Sequence, residues 1–229
     1  MNYDTDINWS LFRNQIDLFY NDKPILLKNF IPNPEKLASW VDVEISLNNP
    51  HTHWELIENH FKINIPTNPT RWGGPRQDKR FIQNHIIQGK TFVIQQYSLQ
   101  NNYTKLFCQK LEDLFPIVTD MHLYGSKSGS TSSFSPHFDF PANIIIPTYG
   151  ECEFKVFSNS ISILLEQTNH SPDITKLTPI IETTLSPGDM LYIPSRFYHV
   201  AQPNEPRLSV SIPCYPGITE RWDKNYYKL

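Results

Sequence analysis

Three residues in the C-terminal half offer donor atoms of the kinds that bind a divalent metal: His137, Asp139 and His199. In an extended segment residues i and i+2 project to the same side, so His137 and Asp139 point together. Two imidazole nitrogens and one carboxylate, with three positions left over, make the set that suits non-haem Fe(II). The vacant positions accept a bidentate co-substrate and O2. A bare His-x-Asp occurs by chance in many chains and is then a surface histidine beside a capping aspartate. The approach to His199 changes that reading. Pro187-Gly188-Asp189 reads as a turn, Met190-Leu191-Tyr192-Ile193-Pro194 as an inner strand, and His199 follows 60 residues after Asp139. Such a turn, strand, turn and histidine is how a double-stranded β-helix delivers its second histidine.

Positioning these ligands needs a stiff frame, and the composition supplies one. Nineteen prolines outnumber eight glycines among 229 residues, which argues for short strands and rigid turns rather than long helices. With 39% hydrophobic and 13% aromatic residues, a disordered chain is excluded. From residue 117 onward eight β-type runs follow one another at intervals of roughly 8–12 residues, the pattern of an antiparallel sandwich or barrel. They include VTDMHLYG, FSPHFDF, NIIIPTYG, ISILLEQ and RLSVSIP.

The N-terminal part reads as mixed α/β. Trp9, Phe12, Ile16 and Phe19 have helical spacing over 9–21, and ILLKNF reads as a strand. A second helix is expected from Pro34 to about Leu47, with Leu37, Trp40, Val41 and Ile45 on one face. Residues 48–89 show little periodicity and are taken as loops with one or two short elements. TFVIQQYSL reads as a strand, and a helix near 102–115 is stopped by Pro116.

At this point the sequence resembles the JmjC and cupin-like Fe(II)- and 2-oxoglutarate-dependent oxygenases, closest in style to bacterial JmjC-type hydroxylases. KPILLKNF is similar to the family's early strand, MHLYGSKSGSTSSFSPHFD to its metal approach, and TLSPGDMLYIPSRFYHV to its second-histidine segment. The resemblance implies a mainly β, double-stranded β-helix (jelly-roll or cupin) core with an α/β N-terminal extension. It implies one domain over 1–229, comprising an α/β part at 1–116, a β-helix core at 117–215 and a tail at 216–229. His137, Asp139 and His199 are the implied iron ligands.

The family usually pairs the distal carboxylate of 2-oxoglutarate with a Lys or Arg on the strand after His-x-Asp. That position here is Cys152, and Lys155 falls on the opposite face. Arg207-x-Ser209 resembles the anchor of other 2-oxoglutarate oxygenase branches. A guanidinium fork gives a carboxylate two charge-assisted bonds, and the hydroxyl adds a third. Asn143 matches a family position that bonds the co-substrate, and Tyr124 offers a hydroxyl to the same carboxylate, with core packing as its competing role.

The implied activity is hydroxylation of a C–H bond of a small molecule, amino acid or peptide, with release of succinate and CO2. Two rivals stand beside it: a metal-dependent cupin enzyme that does not use 2-oxoglutarate, favoured by Cys152, and a non-catalytic cupin-fold binding protein. A formal charge of −3 argues against a nucleic-acid partner. No run approaches a membrane span, and the acidic MNYDTDINWS lacks signal-peptide order, so a cytoplasmic location is expected. Three cysteines without a CxxC indicate no disulfide framework. His51, His53 and His60 read as surface residues. Arg71, Arg76, Lys79 and Arg80 read as a solvated loop. Asn169 and His170, in an insert over 158–178, are candidates for the substrate entrance.

Overall fold

The computed structural model describes residues 7–15, 23–71, 73–128, 133–157 and 177–216. The N-terminal extension contains α1 (Trp9–Gln15), β1 (Ile25–Leu27), a 3-10 turn at Pro34–Lys36, α2 (Trp40–Asn48), β2 (His53–Glu58), β3 (Phe61–Ile63), β4 (Thr67–Asn68), β5 (Arg76–Gln77), α3 (Lys79–Ile87), β6 (Thr91–Gln95) and α4 (Asn102–Leu114). The β-rich part follows as β7 (Ile117–Thr119), β8 (His122–Ser126), β9 (Ala142–Tyr149), β10 (Cys152–Phe157), β11 (Pro179–Leu185), β12 (Met190–Ile193), β13 (His199–Pro203) and β14 (Arg207–Pro216). No helix among the described residues is long and apolar enough to cross a membrane.

Two antiparallel sheets face each other. The large one runs β1-β12-β9-β14-β8-β6-β2-β3, with β7 also on β14, and the small one runs β11-β10-β13. Alternation sorts each strand between two cores. Ile144, Ile146, Tyr192, Val210 and Ile212 turn outward and pack with Phe12, Leu37, Val43 and Leu111 of the extension. Ile145, Leu191 and Ile193 turn inward and meet Cys152, Phe154 and Val156 of the small sheet. The extension thus backs the large sheet and leaves its inner face to the site.

The turn before β12 is held from several sides. Gly188 adopts φ +89, and a Cβ there would stand 2.5 Å from the Ile31 carbonyl oxygen. The buried Asp189 carboxylate accepts from Lys28 Nζ at 2.7 Å, Asn29 N at 3.0 Å and Ser186 N at 2.8 Å. These bonds tie the strand that leads toward His199 to the N-terminal extension.

Several expectations change. The second helix is broken: Ser39 restarts it through a capping box with Asp42, so α2 begins at Trp40. That restart rotates the helix, leaving Val41 64% and Ile45 57% exposed while Val43 and Ser46 are buried. Residues 48–89 hold more structure than expected. β2 alternates His53, Glu55 and Ile57 with Trp54 and Leu56, and α3 is capped by Asp78 and buries Ile82, His85 and Ile86. Its polar residues hid both periods. The FSPHFDF run is irregular, with His137 in an isolated bridge to His199. The run ISILLEQ, Ile16, Phe19, and residues 217–229 of the tail lie outside the described residues.

Candidate active site

The two histidines are joined through their backbones. His137 N donates to His199 O at 3.1 Å, and His199 N donates to His137 O at 2.8 Å. The loop between β12 and β13 is fastened to the same segment, because Arg196 N donates to Asp139 O at 2.8 Å with Arg196 in the left-handed region at φ 64. The side chains of His137, Asp139 and His199 therefore converge even though the first two lie outside any regular strand.

Both imidazoles place Nδ1 on a carbonyl two residues upstream: His137 on Ser135 O at 2.8 Å and His199 on Phe197 O at 3.0 Å. Nδ1 carries the proton in such a pairing, which leaves each Nε2 with a lone pair for a metal. Burial, with the neighbouring His137 adding to it, pushes the His199 imidazole down to about 4, so it is neutral near pH 7. His199 Nε2 lies 3.6 Å from Asp139 Oδ2, and one ligand atom from each of the three residues falls within 4.8 Å of the others. Asn143 Nδ2 donates to Asp139 Oδ2 at 2.6 Å and so orients the carboxylate. Two imidazoles with Nε2 turned toward one point and an oriented carboxylate fit a divalent ion of the Fe(II) type.

Behind this triad the inner face of β14 is polar where a barrel interior is normally apolar. Arg207 and Ser209 are each 2% exposed. Arg207 Nη1 donates to Cys152 Sγ at 3.2 Å and Nη2 to Ser133 Oγ at 3.3 Å. Its Nε and the Ser209 hydroxyl are buried without a partner. Unpaired buried donors are costly, and a cation with spare donors calls for an anionic ligand. Tyr124, whose phenol burial pushes upward, lines the same cavity as Arg207, Ser209 and all three metal-ligand candidates.

The cavity thus gathers His137, Asp139, His199, Arg207, Ser209 and Tyr124, while Asn143 reaches it through Asp139. Lys155 faces away and pairs with Glu182 at 2.5 Å. Arg71, Arg76, Lys79 and Arg80 are exposed, and Asn169 and His170 lie outside the described residues. Sequence reasoning missed Ser133, which sits in a Gly/Ser-rich run with no period to mark it, and His122, which the strand alternation of β8 places on the inner face.

The family model described as the JmjC domain matches residues 93–219. The chain belongs to the JmjC-domain family. The JmjC match spans both metal-ligand segments and the Arg207 strand, and the enzyme class and cofactors that the resemblance implied, an oxygenase using iron and 2-oxoglutarate, are those of the family. The JmjC chain is 30% identical over 111 residues to the bifunctional lysine-specific demethylase and histidyl-hydroxylase NO66 of Culex quinquefasciatus, covering 46% of this chain and 17% of that protein. The NO66 protein of Aedes aegypti matches with the same identity and coverage. Among solved structures, the ribosomal oxygenase YcfD from Escherichia coli in complex with cobalt and 2-oxoglutarate superposes with a TM-score of 0.61 at 19% identity, covering 91% of this chain and 51% of that one. The JmjC chain therefore spans about half the length of YcfD and a sixth of the NO66 proteins.

Proposed function

We propose that this JmjC protein is an Fe(II)- and 2-oxoglutarate-dependent oxygenase that hydroxylates a C–H bond of a small molecule, amino acid or peptide. The observation that carries the reading is the sharing of one cavity by the His137, Asp139, His199 triad and the buried, incompletely bonded Arg207 and Ser209. A bound iron with 2-oxoglutarate supplies oxidative decarboxylation to succinate and CO2 coupled to oxygen insertion. The three side chains would hold the ion, and Arg207 with Ser209 would receive the distal carboxylate of the co-substrate. Asn143 would keep Asp139 aimed. The apolar walls contributed by Ile145 and Phe154 exclude water from the space between.

The relatives named as hydroxylases and as a ribosomal oxygenase support the reaction class, while the substrate is left to experiment. The test is succinate formation from 2-oxoglutarate by the iron-loaded protein, together with metal analysis. Asp139→Ala is expected to lose iron and succinate production. Turnover unchanged by that substitution, or the absence of 2-oxoglutarate binding by calorimetry, overturns the assignment.

A further inference from the structure

Residues 133–136 border the cavity without belonging to any strand. Ser133 and Phe134 line it, and the Phe134 ring packs against both Tyr124 and His137, with ring centroids 6.2 Å and 5.7 Å away. Ser133 Oγ accepts from Arg207 Nη2 at 3.3 Å, and the Ser135 carbonyl accepts from His137 Nδ1 at 2.8 Å. This short segment therefore touches the anion-binding end and the metal end of the cavity at once. Among the described residues it makes no backbone–backbone hydrogen bond. A side chain from outside the cavity holds it instead. His60 lies 73 residues earlier, and its Nδ1 stands 2.7 Å from the Ser133 carbonyl oxygen. A carbonyl only accepts, so Nδ1 is the donor.

The mount of His60 is unusual. Glu58 pairs with Phe61, so Asn59-His60 is a two-residue loop between β2 and β3. Both residues take positive φ, 49 and 71. That is the pattern of a tight hairpin turn whose second central place glycine fills best. A Cβ in the left-handed region costs free energy that glycine would not, so the turn alone does not call for histidine. Its ring does, through the bond to Ser133. The hairpin is also stiff: β2 pairs along its length with β6, Glu58 pairs with Lys90, and Glu55 pairs with Lys62.

We propose that His60 is a positioning residue for the co-substrate: from the β2–β3 turn it fixes Ser133, and Ser133 fixes the plane of the Arg207 fork. The co-substrate role rests on the oxygenase reading above; the clamp rests on the turn and the two hydrogen bonds alone. With Nη1 on Cys152 and Nη2 on Ser133, the guanidinium is steered from two sides. A planar fork meets a carboxylate well in one orientation only, so a shift of Ser133 weakens the grip on an anion. The metal ligands should feel little of it, because His137 and His199 are tied to each other through their own backbones.

The test measures 2-oxoglutarate binding to the full Mn(II)-loaded chain by calorimetry. His60→Gly relaxes the turn and removes the donor. It is expected to weaken 2-oxoglutarate about fivefold to tenfold, with Mn(II) affinity within about twofold and the urea midpoint no lower than the parent's. His60→Asn keeps a side-chain N–H near the Nδ1 position in a residue that tolerates positive φ, and should bind as the parent does. In a Ser133→Ala background His60→Gly should add nothing further. The clamp is also read without co-substrate, from the imidazole nitrogen shifts of His60 in the Zn(II)-loaded chain, which should show the proton on Nδ1. A proton on Nε2, affinity indifferent to His60→Gly, equal weakening of metal and co-substrate, a lowered urea midpoint, or no recovery in His60→Asn each overturns the clamp. A parent chain that binds no 2-oxoglutarate, with His60 still protonated on Nδ1, overturns the oxygenase reading and the co-substrate role with it. Binding that ignores His60 overturns the clamp alone.

Discussion

Arg207 Nη1 on β14 donates to Cys152 Sγ on β10 at 3.2 Å, across the interior between the two sheets. On the proposed reading the two residues would serve one role from opposite walls. Cys152 occupies the position at which the family resemblance puts a cation, and the guanidinium arrives there from the other sheet. A small side chain on β10 leaves room for it, and the sulfur accepts one of its protons. Two cations in that space would repel, so the arrangement is exclusive.

This gives a first prediction about co-substrate affinity. Arg207→Lys should raise the KM for 2-oxoglutarate at least tenfold, because a point charge replaces a fork aimed at a carboxylate. Cys152→Lys should weaken 2-oxoglutarate binding in the presence of Arg207. In the Arg207→Leu background the same Cys152→Lys change should restore part of it, and a calorimetric double-mutant cycle reads the difference. Lys155→Met should alter neither, since Lys155 lies on the other face.

A second prediction concerns the hydrogen bond from Asn143 to Asp139. Partners of this kind orient metal ligands, and their removal typically costs about 10–100-fold in metal affinity. Asn143→Ala should show a loss of that size for Fe(II) or Mn(II) with an unchanged circular dichroism spectrum. Metal affinity within twofold of the parent would remove Asn143 from the site.

Stability should respond to the β9–β10 hairpin. Gly150 has φ +64, and a Cβ there would stand 2.0 Å from the Pro206 backbone oxygen. Gly150→Ala combines a strained left-handed residue with a backbone clash and should destabilise the fold by about 1–3 kcal/mol. Urea denaturation measures it, and a change below the error of the method would contradict the packing described.

Acid should also destabilise the fold through His85 on α3. His85 is 4% exposed and sits against the Thr91 carbonyl at 2.9 Å; burial lowers its pKa below the ordinary histidine value. The unfolded chain therefore takes up a proton as pH falls through about 6.5, while the folded chain does so only at lower pH. Its contribution is present at pH 7 and above and is lost on acidification below that point. His85→Gln should flatten the slope of stability against pH between 7 and 5.

The barrel and the metal triad were legible because their signals are short-range and strict. A strand period of two with proline and glycine corners marks β9, β12 and β14, and two histidines and an aspartate at fixed places mark the candidate metal site. Arg207 and Ser209 were marked by their shared parity on one strand together with the family resemblance, and the structure brings both into the cavity beside the three candidate ligands. The partnership with Cys152 was only half visible, as a missing cation, because two strands 55 residues apart meet only in the fold. β2 was hidden in a stretch of little periodicity where His53 reads as a surface residue, although its alternation buries Trp54 and Leu56. α2 was placed on the wrong face because Ser39 and Asp42 restart the helix three residues beyond the 3-10 turn that ends at Lys36.

The reciprocal backbone bonds between His137 and His199 carry one further consequence. The bite between the two imidazoles is set by main-chain pairing and by carbonyl-bound Nδ1 atoms, so the ion is not needed to gather its ligands. Chelation should then leave a folded chain that reloads without refolding, with the metal adding to thermal stability only by mass action. On the proposed oxygenase reading, removal and return of iron would switch the activity off and on while the scaffold stays intact.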